Sequence, residues 1–180
     1  MRIKTHMGVS ADGFISSADG RPALLSMPTF ASGESHGHPE FIADCGAVVM
    51  GRSTFLPAVG GSHWPWSGLE VFVLTSQPLP EATPAGVVSA ADPAELVELM
   101  QKADFSGDVH LVGGQQTIDA FRRIGALDLL GIVTLPILLG DGTRLTPAGS
   151  GAQYLRLEST RTFPDGAVEQ IYSLATPLAS

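Results

Sequence analysis

The sequence has a single cysteine, Cys45, in 180 residues, which excludes an internal disulfide and a cysteine-rich zinc site. Basic residues are also few: 10 Lys and Arg stand against 18 Asp and Glu, which gives a net charge of −8. A broad nucleic-acid binder needs a basic surface, so we expect no nucleic-acid partner. A small anionic ligand remains compatible with this composition, because a few local donors are enough to bind it.

Long apolar runs are missing as well. The most apolar stretch, residues 127–139, contains Asp128 and Pro136, and it falls short of the roughly 20 residues that a membrane-spanning helix needs. The amino terminus lacks the apolar core of a secretion signal. The hydrophobic fraction of 44% is that of a globular protein. We therefore expect a cytoplasmic protein with no membrane partner.

Glycine and proline divide the chain into short segments with clear patterns. The predicted strands are 3–10, 47–50, 71–74, 109–112, 129–139, 154–163 and 167–174, and the predicted helices are 40–44, one that begins at Asp92-Pro93, and 115–124. Pro136 predicts an edge, a bulge or a strand end within 129–139, and Pro164-Asp165-Gly166 predicts the final hairpin. Strands that alternate with helices and end in a hairpin predict an α/β fold with a mostly parallel sheet. The polar stretch 16–39 is a candidate binding loop or lid. We expect one domain over 1–176 and a short tail over 177–180.

Similar polar segments follow three of the predicted strands. They are Gly51-Arg52-Ser53-Thr54, Thr75-Ser76 and Gly113-Gly114-Gln115-Gln116-Thr117. In parallel sheets, ligands bind at the carboxyl ends of strands, where glycines permit close approach and helix starts present N–H donors. Arg52 adds a planar donor fork suited to phosphate. The three segments predict a site for a small ligand with two or more negative charges, although neither the Rossmann nor the P-loop motif is present.

Five motifs in a fixed order extend this pattern over nearly the whole chain. They are S-A-D-G-F-I at 10–15, V-V-M-G-R-S-T-F at 48–55, V-L-T-S at 73–76, V-H-L-V-G-G-Q-Q-T-I at 109–118 and L-P-I-L-L-G-D-G at 135–142. As an ordered set they resemble the dihydrofolate reductase-like family, closest to the reductase domain of riboflavin biosynthesis and its stand-alone bacterial relatives. The resemblance implies a three-layer α/β fold with a twisted, mostly parallel sheet, flanking helices and an antiparallel C-terminal hairpin. It also implies a homodimer.

The resemblance further implies an enzyme that uses NADPH to reduce a C=N or C=O group of a small-molecule substrate, as 5-amino-6-(5-phosphoribosylamino)uracil reductases do. By similarity, Arg52 and Ser76 would bind the 2′-phosphate of NADPH. Thr54 and residues 114–117 would bind its pyrophosphate. All the residues of the three polar segments are therefore predicted to bind the cofactor.

The segment from Val9 to Ile15 would border the nicotinamide and the substrate. The substrate-binding residues predicted from it are Val9, Ser10, Asp12 and Phe14. Asp12 is the candidate catalytic residue, which would orient the substrate or relay a proton. The alternative is a turn aspartate in the pair Asp12-Gly13, since Asp-Gly is common in turns. Two alternatives to the reductase stay open: a catalytically silent nucleotide-binding protein, and a reductase with a flavin-type cofactor in the same groove.

Two other clusters have plain structural interpretations. His36, His38 and Glu40 alternate with Gly37 and Pro39 in a loop, which favours a solvated loop over a metal site. No metal is expected. Trp64-Pro65-Trp66 is interpreted as an anchor that packs a loop, with a ligand-stacking platform as the alternative.

Overall fold

The protein is described by a computed structural model over residues 1–174. The strands are β1 (Ile3–Ser10), β2 (Phe14–Ser16), β3 (Cys45–Gly51), β4 (Glu70–Leu74), β5 (Val88–Ala90), β6 (Asp108–Gly113), β7 (Leu129–Leu135), β8 (Thr143–Arg144), β9 (Leu155–Thr162) and β10 (Val168–Leu174). The α-helices are α1 (His38–Ile42), α2 (Arg52–Phe55), α3 (Pro93–Lys102) and α4 (Gln115–Arg123), and short 3-10 helices span Ala23–Ser26, Pro28–Ser32 and Leu56–Ala58. The tail predicted over 177–180 lies outside the described residues, and the single domain over 1–176 stays a prediction.

Eight strands form one sheet in the order β5-β4-β3-β6-β1-β7-β10-β9, and β2 pairs with β8 in a separate two-stranded sheet. The β1–β6, β3–β4, β3–β6 and β4–β5 pairs are parallel. In contrast, β10 runs antiparallel to both β7 and β9. The predicted α/β fold, with a mostly parallel sheet and an antiparallel C-terminal hairpin, is confirmed.

The chain divides into two compact units. The first unit consists of residues 1–5 and 44–128, so it holds the start of β1, strands β3 to β6 and helices α2 to α4. Its core contains a cluster of buried apolar side chains from β3, α2 and β4, namely Val48, Met50, Phe55, Val71 and Val73. Continuous apolar runs at 47–50 and 71–74 produce these strands because both faces of a parallel sheet are buried.

The second unit consists of residues 6–43 and the chain from 129 onward. Its core cluster packs the 3-10 helical segment 23–32 against β7 and the residue before β10, through Ala23, Met27, Val133, Leu135 and Ala167. Strand β7 ends at Leu135, so the strand end is the one of the three outcomes predicted at Pro136 that the structure has. Pro136 has no N–H to donate to a neighbouring strand, so the pairing stops there.

Local signals explain where helices α1 and α3 begin. Asp92 caps α3 as predicted, since its carboxylate accepts hydrogen bonds from the backbone N–H of Ala94 at 2.7 Å and of Glu95 at 3.2 Å. The helix predicted over 40–44 instead begins at His38, because Pro39 is well suited to a first helical turn. Strands β2, β5 and β8 were not predicted, since two or three residues are too few to show a period.

Candidate functional site

The register of three parallel strands brings the predicted polar segments of the first unit together. Gly51 of β3 pairs with Leu74 of β4, and Met50 of β3 pairs with Gly113 of β6. The carboxyl ends of the three strands therefore lie at the same edge of the sheet, where Arg52, Thr75 and Gly114 follow them. This edge is where a parallel α/β sheet binds its ligands.

Helix α4 presents backbone donors at this edge. Gly114 is its N-cap residue, and no side chain caps the helix. The first hydrogen bond of the helix runs from the N–H of Ile118 to the carbonyl oxygen of Gly114 at 3.0 Å, so the N–H groups of residues 115–117 have no partner within the helix. These groups carry the positive end of the helix dipole and suit an anion.

Gly51 and Gly114, both at this edge, serve different purposes. A Cβ atom built on Gly51 would lie 2.5 Å from Oγ1 of Thr117, whereas one built on Gly114 meets no heavy atom within 4 Å. Gly51 is therefore required by the packing of the protein itself, and the buried Thr117 side chain lies against it. Because the Thr117 side chain packs inward, its backbone N–H is the group that a ligand can reach. At Gly114 the missing side chain leaves open space beside the start of α4.

Arg52 lies over the turn that follows β4. Its Nη1 donates a hydrogen bond to the carbonyl oxygen of Pro78 at 2.8 Å. The hydroxyl of Thr75 shapes the same turn by accepting a hydrogen bond from the N–H of Gln77 at 3.1 Å. Ser76 is exposed in this turn. A guanidinium has five N–H donors, so Arg52 retains donors for a phosphate after its bond to Pro78.

Asp12 lies in the second unit, in the turn between β1 and β2. Its carboxylate accepts hydrogen bonds from the hydroxyl of Ser10 at 2.6 Å and from the N–H groups of Leu139 at 3.1 Å and Gly140 at 2.7 Å. The bond from Ser10, followed by that from Gly140, lowers the pKa of Asp12 to about 2. A carboxyl group with this pKa is ionised at neutral pH. The bonds to Ser10, Leu139 and Gly140 fix this turn, as the turn interpretation predicted, and the role of Asp12 toward a substrate stays a prediction.

The other predicted substrate residues are mostly enclosed. Val9 and Phe14 are both 6% exposed and Ser10 is 2% exposed. The hydroxyl of Ser10 also accepts a hydrogen bond from the N–H of Phe14 at 2.9 Å. Arg144, which no motif singled out, holds its guanidinium 4.5 Å from the centre of the Phe14 ring. Its signal in the sequence was weak, because β8 is only two residues long.

Replacing Asp12 by asparagine is expected to lower the free energy of unfolding at pH 7. The folded-state pKa of about 2 lies below the ordinary 3.8, so the ionised carboxylate stabilises the fold above about pH 4, and this stabilisation is lost as the pH falls towards about 2. The difference between wild type and Asp12→Asn should shrink over that interval in denaturant titrations. Asp141→Asn, in an exposed turn, is the control. A difference that stays constant with pH would contradict this role.

The loop around the histidines is only partly solvated, which corrects that interpretation for His36, although Glu40 is exposed. His36 is fully buried, and its Nε2 lies 2.7 Å from Oδ2 of Asp165. The hydroxyl of Thr29 donates to the same oxygen at 2.6 Å. The ring of His38 packs 5.5 Å from that of His6. Among residues 1–174, no three metal-ligating side chains come together.

The tryptophans pack the core of the first unit, as the anchor interpretation predicted. The ring centres of Trp64 and Trp66 are 5.0 Å apart, and both rings contact Phe55, at 6.1 and 6.5 Å. Both side chains pack against the core cluster of β3, α2 and β4.

No helix in the described part of the chain has the length and apolar character needed to cross a membrane.

Comparison with known proteins identifies the fold. No protein-family model matches the chain. YwjB, an uncharacterized protein of Bacillus subtilis (strain 168), is 24% identical over 159 residues, which cover 88% of this chain and 90% of YwjB.

Two solved structures have the same fold over almost the whole chain. A protein of Shewanella sp. PV-4, provisionally assigned to riboflavin biosynthesis, matches 98% of this chain and 100% of its own with a TM-score of 0.79 and 21% identity. The dihydrofolate reductase of Enterococcus faecalis, solved with NADP(H), matches 97% of both chains with a TM-score of 0.66 and 16% identity. The chain therefore has the dihydrofolate reductase-like fold, and the resemblance seen in the motifs is confirmed at that level.

Proposed function

We propose that the protein is an NADPH-dependent reductase of a small molecule with a C=N or C=O group, of the kind used in riboflavin biosynthesis. The observation that carries the proposal is the meeting of three donor-bearing segments at the carboxyl edge of β3, β4 and β6. The fold supports it, since the Enterococcus enzyme was solved with NADP(H) and the Shewanella protein is provisionally assigned to riboflavin biosynthesis.

The residues at this edge fit a dinucleotide that carries a 2′-phosphate. The unpaired donors of Arg52, together with the exposed Ser76, suit the 2′-phosphate. The uncapped start of α4 and Thr54 suit the pyrophosphate, and the open space at Gly114 admits close approach to the backbone. When bound, the dinucleotide would supply a hydride for the acceptor.

The acceptor is proposed to contact the segment that contains Val9, Ser10, Asp12 and Phe14. Asp12 keeps the turn of this segment in place through bonds to Leu139 and Gly140, and its ionised carboxylate can orient a substrate N–H or O–H. Because its pKa is about 2, we do not assign it the proton that the reduced group takes up. The proposal also includes a homodimer and a cytoplasmic location, the latter consistent with a single cysteine.

Two measurements test the proposal. Calorimetric titration with NADPH measures binding, and the absorbance of the reduced nicotinamide measures its oxidation by pyrimidine, pterin and carbonyl acceptors. We expect saturable binding and acceptor-dependent oxidation, with 5-amino-6-(5-phosphoribosylamino)uracil as the first acceptor to try. Binding without oxidation by any acceptor would favour a catalytically silent nucleotide-binding protein. A visible chromophore in the purified protein would indicate a flavin-type cofactor, and the absence of heat with NADPH and NADH would refute the assignment.

A further inference from the structure

Arg144 is fixed beside the segment that is proposed to contact the acceptor. Strand β8 pairs antiparallel with β2, and in this register Arg144 lies opposite Phe14. The N–H of Leu145 donates a hydrogen bond to the carbonyl oxygen of Gly13 at 3.3 Å, which extends the pairing into the turn that contains Asp12. All of these residues belong to the second unit. The position of Arg144 relative to the acceptor segment is therefore set by main-chain pairing.

The guanidinium of Arg144 is held in place without using most of its donors. It lies 4.5 Å from the centre of the Phe14 ring, a cation–π contact that consumes no N–H group. Its Nη1 donates a long hydrogen bond, 3.4 Å, to the carbonyl oxygen of Asp12. A Cβ atom built on Gly13 would lie 3.4 Å from the same nitrogen, so the bare backbone of the turn leaves room for the guanidinium. Since a guanidinium has five N–H donors, Arg144 keeps donors for a ligand.

The charge of Arg144 is not neutralised by a carboxylate of the described chain. Within residues 1–174 its exposed side chain forms no ion pair, although the sequence has 18 acidic and only 10 basic residues. The carboxylate of the neighbouring Asp12 instead accepts N–H groups from the loop after β7. By contrast, Arg156 and Arg161 of the same unit are each paired with a glutamate. An arginine that is exposed, fixed and unpaired suits a carboxylate or phosphate from outside the chain, because its fork of donors matches both.

We propose that Arg144 is a specificity-determining residue that binds an anionic group, a carboxylate or a phosphate, of the acceptor. The acceptor class is then a small molecule that joins a reducible C=N or C=O group to such an anion. This inference rests on the proposed function for the identity of the ligand, an acceptor that contacts the segment from Val9 to Ile15. The anion contact itself rests on the surroundings of Arg144 in the second unit, so it can be tested without NADPH and without turnover.

An NMR titration of the arginine Nε–Hε groups tests anion binding directly. Methyl phosphate and acetate are the probes, acetamide is the neutral control, and loss of signals in Arg144→Ala and Arg21→Ala assigns the two side chains. We expect at least one anion to shift the Arg144 signal saturably, and acetamide to leave it in place. Arg21, an exposed arginine of the same unit, should shift much less. The anion that acts at the lower concentration identifies the group, and an unshifted Arg144, or equal shifts of both arginines, would overturn the proposal.

Steady-state kinetics with matched acceptors measures the effect on specificity. If phosphate is the stronger probe, 5-amino-6-(5-phosphoribosylamino)uracil is compared with the same compound without its phosphate, and if acetate is stronger, a carboxylate acceptor is compared with its amide. Arg144→Ala should raise KM for the anionic acceptor roughly tenfold or more, since a hydrogen bond to a charged group is lost. Its kcat, and its KM for the neutral acceptor, should stay unchanged. Arg144→Lys keeps the charge but not the fork, so its KM should be intermediate.

The controls separate this inference from the proposed function. Arg21→Ala should match the wild type with both acceptors, and circular dichroism confirms that each variant is folded. If NADPH does not bind, the proposed function fails, while the NMR titration still decides whether Arg144 binds an anion. If NADPH is oxidised and Arg144→Ala leaves KM unchanged, or raises it equally for the anionic and the neutral acceptor, the role of Arg144 is refuted and the reductase stands.

Discussion

Replacing Gly114 by valine is expected to abolish the binding of both NADPH and NADH in calorimetric titrations. The open space beside the start of α4 would be filled by a branched side chain, which keeps a phosphate away from the backbone donors. The fold should tolerate this change, because Gly114 has a φ of −89° and an added Cβ meets no heavy atom within 4 Å. The variant therefore separates ligand approach from stability.

Gly61→Val is the matched control for this prediction. Gly61 lies in the first unit outside the three polar segments, and a Cβ there has only ordinary contacts, the nearest at 3.5 Å. We expect its affinity for both dinucleotides to equal that of the wild type. If Gly114→Val remains folded and binds NADPH as tightly as the wild type does, the glycine serves only the turn between β6 and α4, and α4 does not hold the pyrophosphate.

Replacing Arg52 by alanine is expected to weaken the binding of NADPH roughly tenfold to hundredfold and to leave the affinity for NADH almost unchanged. The guanidinium is half-buried over the turn after β4 and retains donors beyond its bond to Pro78. Hydrogen bonds to a charged group contribute about 1.5–3 kcal/mol, which corresponds to this range of affinity. Because NADH lacks the 2′-phosphate, it loses no such bond. Parallel calorimetric titrations of both dinucleotides measure the difference.

Two further variants identify the reason for any loss of NADPH affinity when Arg52 is replaced. Arg52→Lys keeps the charge but not the planar fork of donors, so it should bind NADPH with intermediate affinity. Arg21→Ala removes an exposed positive charge from the second unit and should leave NADPH binding unaffected. Equal losses for NADPH and NADH in Arg52→Ala would contradict the assignment of the 2′-phosphate to this residue.

Patterns within a few residues predicted most of the fold. The Asp92-Pro93 pair indicated the start of α3, and its carboxylate does cap the helix. Pro164-Asp165-Gly166 indicated the hairpin, and the N–H of Gly166 bonds to the carbonyl oxygen of Phe163 there. These predictions succeeded because caps, turns and apolar runs act through neighbouring atoms. At Pro136 the sequence left an edge, a bulge and a strand end open, because the outcome depends on the neighbouring strand, and β7 ends there.

The functional residues depend more strongly on partners that are distant in the chain. Asp12 looked equally suited to catalysis and to a turn, and its pKa is set in part by the N–H of Gly140, 128 positions away. His36 was interpreted as solvated, but Asp165, 129 positions away, holds it in the core. No local pattern encodes such contacts.

The amino-acid sequence alone determined which strand ends carry glycines, hydroxyls and an arginine, and hence that an anion could be bound. Their meeting at one edge was decided by the tertiary structure, because only the parallel register of β3 with β4 and β6 brings segments more than 60 positions apart into the same place. The tertiary structure also decided that Thr117 packs inward against Gly51 and that β9 is left exposed. Composition and periodicity specify the chemistry and the elements, while the pairing of distant strands specifies which groups share a site.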